Sequence, residues 1–339
     1  MKKLRGFSLI ELMIAMTLGI LLSLAVSQVL LGSRASDNVQ EALSQIQENA
    51  RFAMSYIGKE VRMAGFIGCA TISSTSVNNI ALPADEVDFS DATALIVDND
   101  VDADNDFDAV AGTDILHLKR GSDEFIRISG AIAPSSAQIQ VENNSVGFEQ
   151  GDFVLVSDCE SADVFRITSE PAGAGEGTAT LAHAAGATNS SGTLSRLYSA
   201  DAELYGLEEL HFFIQDSGKT TNRGGAINSL YVSQRRIGSG GPLSAATELL
   251  EGVEDMQIEL GVDTNDDQQI DQYVDADAVA DWADVLSLKL RLQLYSTNSA
   301  AVNGSGQTFT NAVGEEVEVD DGRMRRVFIN VFAIRNKLP

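Results

Sequence analysis

One carboxylate stands where a carboxylate is expensive. Phe7 to Leu31 reads FSLIELMIAMTLGILLSLAVSQVLL, and Glu11 is its only charged residue. An ionised group in an apolar helix is costly unless a proton, a cation or the polar edge of a bilayer meets it. Glu11 is therefore either a carboxyl that snorkels or is protonated at the membrane edge, or half of an ion pair whose other half lies elsewhere.

The remaining chemistry is acidic. Asp263, Asn265, Asp267, Gln269 and Asp271 place oxygen donors at every second position, which resembles an EF-hand-type or thrombospondin-type Ca2+ loop. The pattern departs from the EF-hand at Gln268, where Gly is wanted, and at Val274, where Glu is wanted, although Asp275 and Asp277 follow. A solvated acidic turn between strands is the competing reading. Asp100, Asp102, Asp104 and Asp108 form a second acidic run with several registers, equally readable as an acidic loop. Cys69 and Cys159 are the two cysteines, too few for a disulfide scaffold. In an oxidising compartment they would close a loop worth roughly 4 kcal/mol by chain entropy; otherwise they are two thiols. Catalytic signals are poor. His117, His183 and His211 are dispersed, with none at ligand spacing from another His or a Cys, and no G-x-S-x-G elbow occurs. Gly218-Lys219-Thr220 ends like a phosphate loop, but Phe213 stands where its first Gly must be.

The elements that must carry these groups follow from the charge distribution. The 339 residues sum to −26, and Lys2, Lys3 and Arg5 before the apolar run leave −29 on everything after residue 6. Such a surface repels phosphate, so nucleic-acid binding through a basic patch is excluded. As a helix, 25 residues reach roughly 37 Å, enough to span a bilayer core, and the basic leader keeps the N-terminus cytoplasmic. The acidic remainder is then exported. Val39, Leu43, Ile46, Ala50, Ala53 and Ile57 continue a heptad-like seam, no proline precedes Pro83, and Gly65 offers a stop. The helix should run from about Ser8 to Ala64, with Gly19 and Gly32 as weak points. Beyond it lie short β-type runs, clearest in Leu286–Leu294, where Leu alternates with polar residues. Low-complexity stretches at 171–192, 216–226 and 298–307 read as loops. The expected fold is α+β, a long N-terminal helix on an antiparallel β-sheet head with long loops. Its parts are a leader (1–6), an apolar helix segment (7–31), an amphipathic continuation (32–65) and a β-rich head (66–339).

Gly6-Phe7-Ser8-Leu9-Ile10-Glu11 resembles the prepilin cleavage signal of type IV pilins and type II secretion pseudopilins. The resemblance implies cleavage between Gly6 and Phe7, methylation of the Phe7 amine, and contact of Glu11 with a neighbouring subunit's N-terminus. Gln47–Ala53, Val61–Cys69, Glu251–Glu254 with Gly261–Thr264, Arg325–Phe328 and Arg335-Asn336 look like the PilW-type minor pilin, similar to the J-type minor pseudopilins. The family implies a non-enzymatic, low-abundance subunit that primes pilus assembly and sits at the tip. Its partners would be other minor pilins, the major pilin, the prepilin peptidase, the inner-membrane assembly platform and a large calcium-binding tip adhesin. No cofactor is required by this reading, and Ca2+ is the one ion the acidic runs suggest. The alternatives are a J-type pseudopilin, or a single-pass membrane-anchored extracytoplasmic enzyme or binding protein that keeps Met1.

Overall fold

With no proline and only isolated glycines, the first 64 residues have nothing to end a helix. The computed structural model describes residues 8–83, 87–130, 137–172, 177–221, 224–236, 245–297 and 307–338. In it α1 (Leu9–Met63) is unbroken through Gly19 and Gly32. It stops where Gly65 takes φ +70, the left-handed conformation a side chain disfavours, and gives its N–H to the Lys119 carbonyl.

Sixteen strands follow among the described residues: β1 (Val77–Asn79), β2 (Leu95–Asp98), β3 (Ile115–Arg127), β4 (Gln138–Val141), β5 (Phe153–Ser157), β6 (Ala162–Arg166), β7 (Ala179–Ala182), β8 (Glu203–Thr220), β9 (Ala226–Arg236), β10 (Thr247–Glu251), β11 (Val253–Val262), β12 (Gln272–Asp275), β13 (Val285–Tyr295), β14 (Gln307–Thr310), β15 (Glu316–Val319) and β16 (Arg325–Ala333). The larger sheet runs β1-β6-β5-β8-β3-β2, with β9 on β8 and β10 on β9. The smaller runs β12-β11-β13-β16, and β14–β15 and β4–β7 are separate pairs. The pairing is antiparallel except β1 with β6, so the head is mixed rather than purely antiparallel.

The alternation in β13 does what it predicts: Leu288, Leu290 and Leu292 are buried, while Lys289 and Arg291 are half-buried on the opposite face. Those leucines join Ile46, Ala50, Ala53, Ile57 and Val61 of α1, Phe212 of β8 and Phe332 of β16 in one core, which welds helix and both sheets together. A second core, built by Ile126–Leu204 and including Phe148, Phe165, Leu181 and Tyr198, lies away from α1. The stretch 171–192 is not simply loop. It contains β7, and buried Asn189 accepts the Arg166 N–H and donates to the carbonyls of Arg166 and Ala184. Residues 216–220 and 226 likewise belong to the β8–β9 hairpin, whereas 298–306 lie outside the described residues.

Candidate functional site

The long helix is two surfaces in series. From Leu9 to Leu31 its large apolar side chains are 52–77% exposed. Among the described residues this is the one helix long and apolar enough to cross a membrane, and none of its apolar window is buried. Gly6 and Phe7 lie outside the described residues. Glu11 sits in the first turn, where its Oε2 accepts the Ser8 N–H at 2.9 Å. A carboxylate there complements the helix N-terminus and forms a capping box with Ser8.

The second half is fastened to the head. Glu60 and Arg120 are 3% and 4% exposed, and Arg120 Nη2 lies 3.3 Å from both Glu60 on α1 and Glu208 on β8. Arg120 also bonds Asp123, and Lys59 lies 3.7 Å from that carboxylate. Burial pushes the Glu208 carboxyl up, with Arg120 pulling it back. Two residues before Glu60, Gly58 packs so closely on Phe332 that a Cβ would overlap the ring, and the Arg62 guanidinium lies 5.7 Å from the centre of the same ring. The helix C-terminus is closed by the end of the chain. Asn336 Nδ2 donates to the carbonyls of Arg62 (3.2 Å) and Ala64 (3.0 Å), and its own carbonyl accepts the Ile72 N–H. Beside it, Lys337 is buried and donates to the Trp282 carbonyl at 2.5 Å.

Cys69 and Cys159 form a disulfide, with Cα atoms 4.9 Å apart. It joins the segment after α1 to the β5–β6 turn, and both residues are exposed.

The two acidic runs are ordered by their own backbone. Asp263 is 6% exposed. Its Oδ1 accepts the N–H groups of Asn265 (3.1 Å) and Asp267 (3.4 Å), and its Oδ2 accepts Gln268 (2.6 Å). Asn265 Oδ1 accepts Asp267 N–H, Asp267 Oδ1 accepts Gln269 N–H, and Asp271 accepts the N–H and Oγ1 of Thr264. The Thr264 bonds draw the exposed Asp271 carboxyl below its usual range. Asp266 and Gln268 hold φ of +61 and +63, so Gln268 takes the left-handed conformation that Gly was wanted for. In the run at 100–108 the organiser is Asn105, whose side chain meets Asp102, Phe107 and Ala109 backbone; Asp100, Asp102, Asp104 and Asp108 are exposed around it. No three His, Cys, Asp or Glu side chains among the described residues are gathered as a metal would need.

The histidines are not all dispersed. Register pairs His117 of β3 with His211 of β8, and their Nδ1 atoms are 2.6 Å apart. Asp98 of β2 bonds His117 Nε2 at 3.0 Å, and Phe107 covers both rings. Ninety-three intervening residues hid this from the sequence; only a strand alignment would have found it. The segment 99–114 that carries Phe107 is itself tied down by Asp114. That carboxylate, buried between the Asp100 and Ile258 N–H groups, is pushed up to about 7 by burial. Gly218-Lys219-Thr220 lies in the β8–β9 hairpin, with no helix after it, so it has no phosphate-loop geometry.

Comparison with known families matches both ends. Residues 1–27 match the Prokaryotic N-terminal methylation motif. Residues 211–336 match Type IV Pilus-assembly protein W, a stretch that starts at His211 on β8 and ends at the Asn336 that caps α1. No curated protein and no solved structure matches the chain closely enough to add to these two. With a methylation motif on its exposed helix and a pilus-assembly region closing the other end of that helix, the two matches are consistent with a PilW-type minor pilin and support a membrane-anchored pilin related to the type IV pilus.

Proposed function

We propose that this subunit joins other minor pilins to prime assembly of the type IV pilus and then sits at its tip. The observation that carries this is the exposed apolar half of α1, held at its far end by a large acidic head. In this reading residues 1–6 are a leader removed between Gly6 and Phe7. Residues 7–31 cross the inner membrane and then pack in the filament, 32–65 carry the head, and 66–339 face the periplasm and later the cell exterior. A bulky head of net charge −28 fits the end of a fibre more easily than its densely packed shaft. Once the leader is gone, Glu11 is the fifth residue, within reach of a neighbour's N-terminal amine, and that pair offsets the cost of both charges in lipid. The partners are the other minor pilins, the major pilin, the prepilin peptidase, the assembly platform and a large tip adhesin. N-terminal analysis of the mature chain is the test. A chain starting at methylated Phe7 supports the reading, and an intact Met1 overturns it. Glu11→Ala should leave membrane levels unchanged while incorporation into pili falls; unchanged incorporation would remove the subunit contact.

We further propose Ca2+ as a ligand of the turn at 263–271, on the spacing of its oxygen-bearing side chains. Calorimetry should then detect heat at millimolar Ca2+ that Asp267→Ala abolishes, and no heat in the wild type would end the calcium reading.

A further inference from the structure

Four neighbouring strands of the larger sheet set a line of titratable groups side by side. Asp98 Oδ2 lies 3.0 Å from His117 Nε2, His117 Nδ1 lies 2.6 Å from His211 Nδ1, and His211 Nε2 lies 3.8 Å from Glu209 Oε2. Glu209 is held in turn by Arg235 at 2.7 and 2.8 Å. His211 is 5% exposed, and its Nε2 has no hydrogen-bond partner among the described residues. Lys119 is the further charged neighbour, from β3. The covering segment brings the Phe107 ring against both imidazoles, and its aspartates 102, 104, 106 and 108 are exposed.

A 2.6 Å contact between two ring nitrogens requires one proton between them. Asp98 can only accept, so His117 carries a proton on Nε2. When the pair is neutral, His117 Nδ1 is an acceptor and His211 must hold its proton on Nδ1. The Nε2 of His211 is then a bare lone pair facing the Glu209 carboxylate. One added proton resolves this. His117 becomes the doubly protonated donor, the single proton of His211 moves to Nε2, and that N–H now points at Glu209. A second proton would set N–H against N–H across 2.6 Å.

We propose that His117 and His211 form a one-proton switch, in which uptake of a single proton by the pair reverses the tautomer of His211 and turns on its bond to Glu209. Burial and the neighbouring His117 hold His211 down to about 4 against the pull of Glu209, and the bond from His117 holds Asp98 below its usual range. Both directions agree with a pair that accepts one proton and resists the next. A metal is a poorer occupant of the gap. Zinc sits about 2 Å from each imidazole nitrogen and wants four donors, and no group of three His, Cys, Asp or Glu side chains is gathered there among the described residues.

The test is nitrogen-15 NMR of the histidines in the full chain, in detergent micelles and metal-free buffer. At pH 7.5 His211 should be the Nδ1–H tautomer and His117 the Nε2–H tautomer. Between pH 7.5 and 4.5 the pair should take up one proton in total while His211 changes to Nε2–H. Asp98→Asn, at an exposed position, should lower the proton affinity of the pair about tenfold without changing the one-proton count. Two independent titrations near 6.5, two Nε2–H tautomers at neutral pH, or loss of the shared proton on adding zinc would each overturn the switch.

Discussion

The two halves of α1 show what a helix needs from its surroundings. Between Leu9 and Leu31 it is apolar all round and almost nothing of this chain touches it. Between Ala42 and Val61 it is amphipathic, with Ile46, Ala50, Ala53 and Ile57 buried along one stripe. An all-round apolar surface is stable only in lipid or among other helices, so the first half is written for partners outside the chain. The second half is specified from within, by a buried ion cluster, a glycine–aromatic contact and a cap from the C-terminus. Substitutions that remove those three fastenings should therefore destabilise the head, while substitutions in the first half should spare it.

The largest effect is expected at the ion cluster. Arg120→Leu strands Glu60 and Glu208 without their cation, and breaking a buried pair this way costs about 3–5 kcal/mol. Urea unfolding of the full chain in detergent should show it as a fall in midpoint; a change below about 1 kcal/mol would mean that apolar packing alone holds the helix.

Lys337, at the base of the same helix, gives a pH signature. Burial brings its amine down to about 8, with Asp91, Asp284 and Asp281 pulling the other way. Its folded pKa is thus below the unfolded 10.5, so the unfolded chain binds the extra proton between those values. Stability should rise as pH increases across that window, by up to about 3 kcal/mol, and Lys337→Met should abolish the rise. Equal pH slopes for wild type and variant would refute the assignment.

Gly58→Val comes next. Its side chain must displace the Phe332 ring, a core overpacking of about 1–3 kcal/mol, and melting of the head followed by near-ultraviolet circular dichroism or fluorescence should register it.

Much of the helix-bearing region was legible beforehand. The heptad-like seam, Gly65 as the stop and the Leu286–Leu294 alternation each correspond to an observed feature, because each is a local pattern with one physical reading. The Cys69–Cys159 bond was open between bridge and free thiols, since no sequence spacing sets a distance in space; the fold brings the pair together. What escaped was set by register. The His117–His211 pair exists only because β3 and β8 align, and the second core around Phe148 and Leu181 draws on strands of four and five residues, one of them, β7, inside a low-complexity stretch. Short strands with small residues carry almost no periodicity, so their pairing is decided by long-range contacts.

The smallest expected effect separates the two halves most sharply. Asn336 donates to two carbonyls that the end of α1 would otherwise leave without a donor, those of Arg62 and Ala64, from 274 and 272 residues away. Asn336→Ala removes both bonds from a partly buried cap, which should lower head stability by about 1 kcal/mol. Leu22→Ala, in the apolar half, deletes a larger side chain that is 70% exposed within this chain, and should leave head stability unchanged while weakening retention in the membrane. The two variants thus oppose a small polar loss that is felt by the head to a larger apolar loss that is not. If Leu22→Ala unfolded the head as much as Asn336→Ala does, the first half of α1 would be part of the head's own core, and the division of the helix at its middle would be wrong.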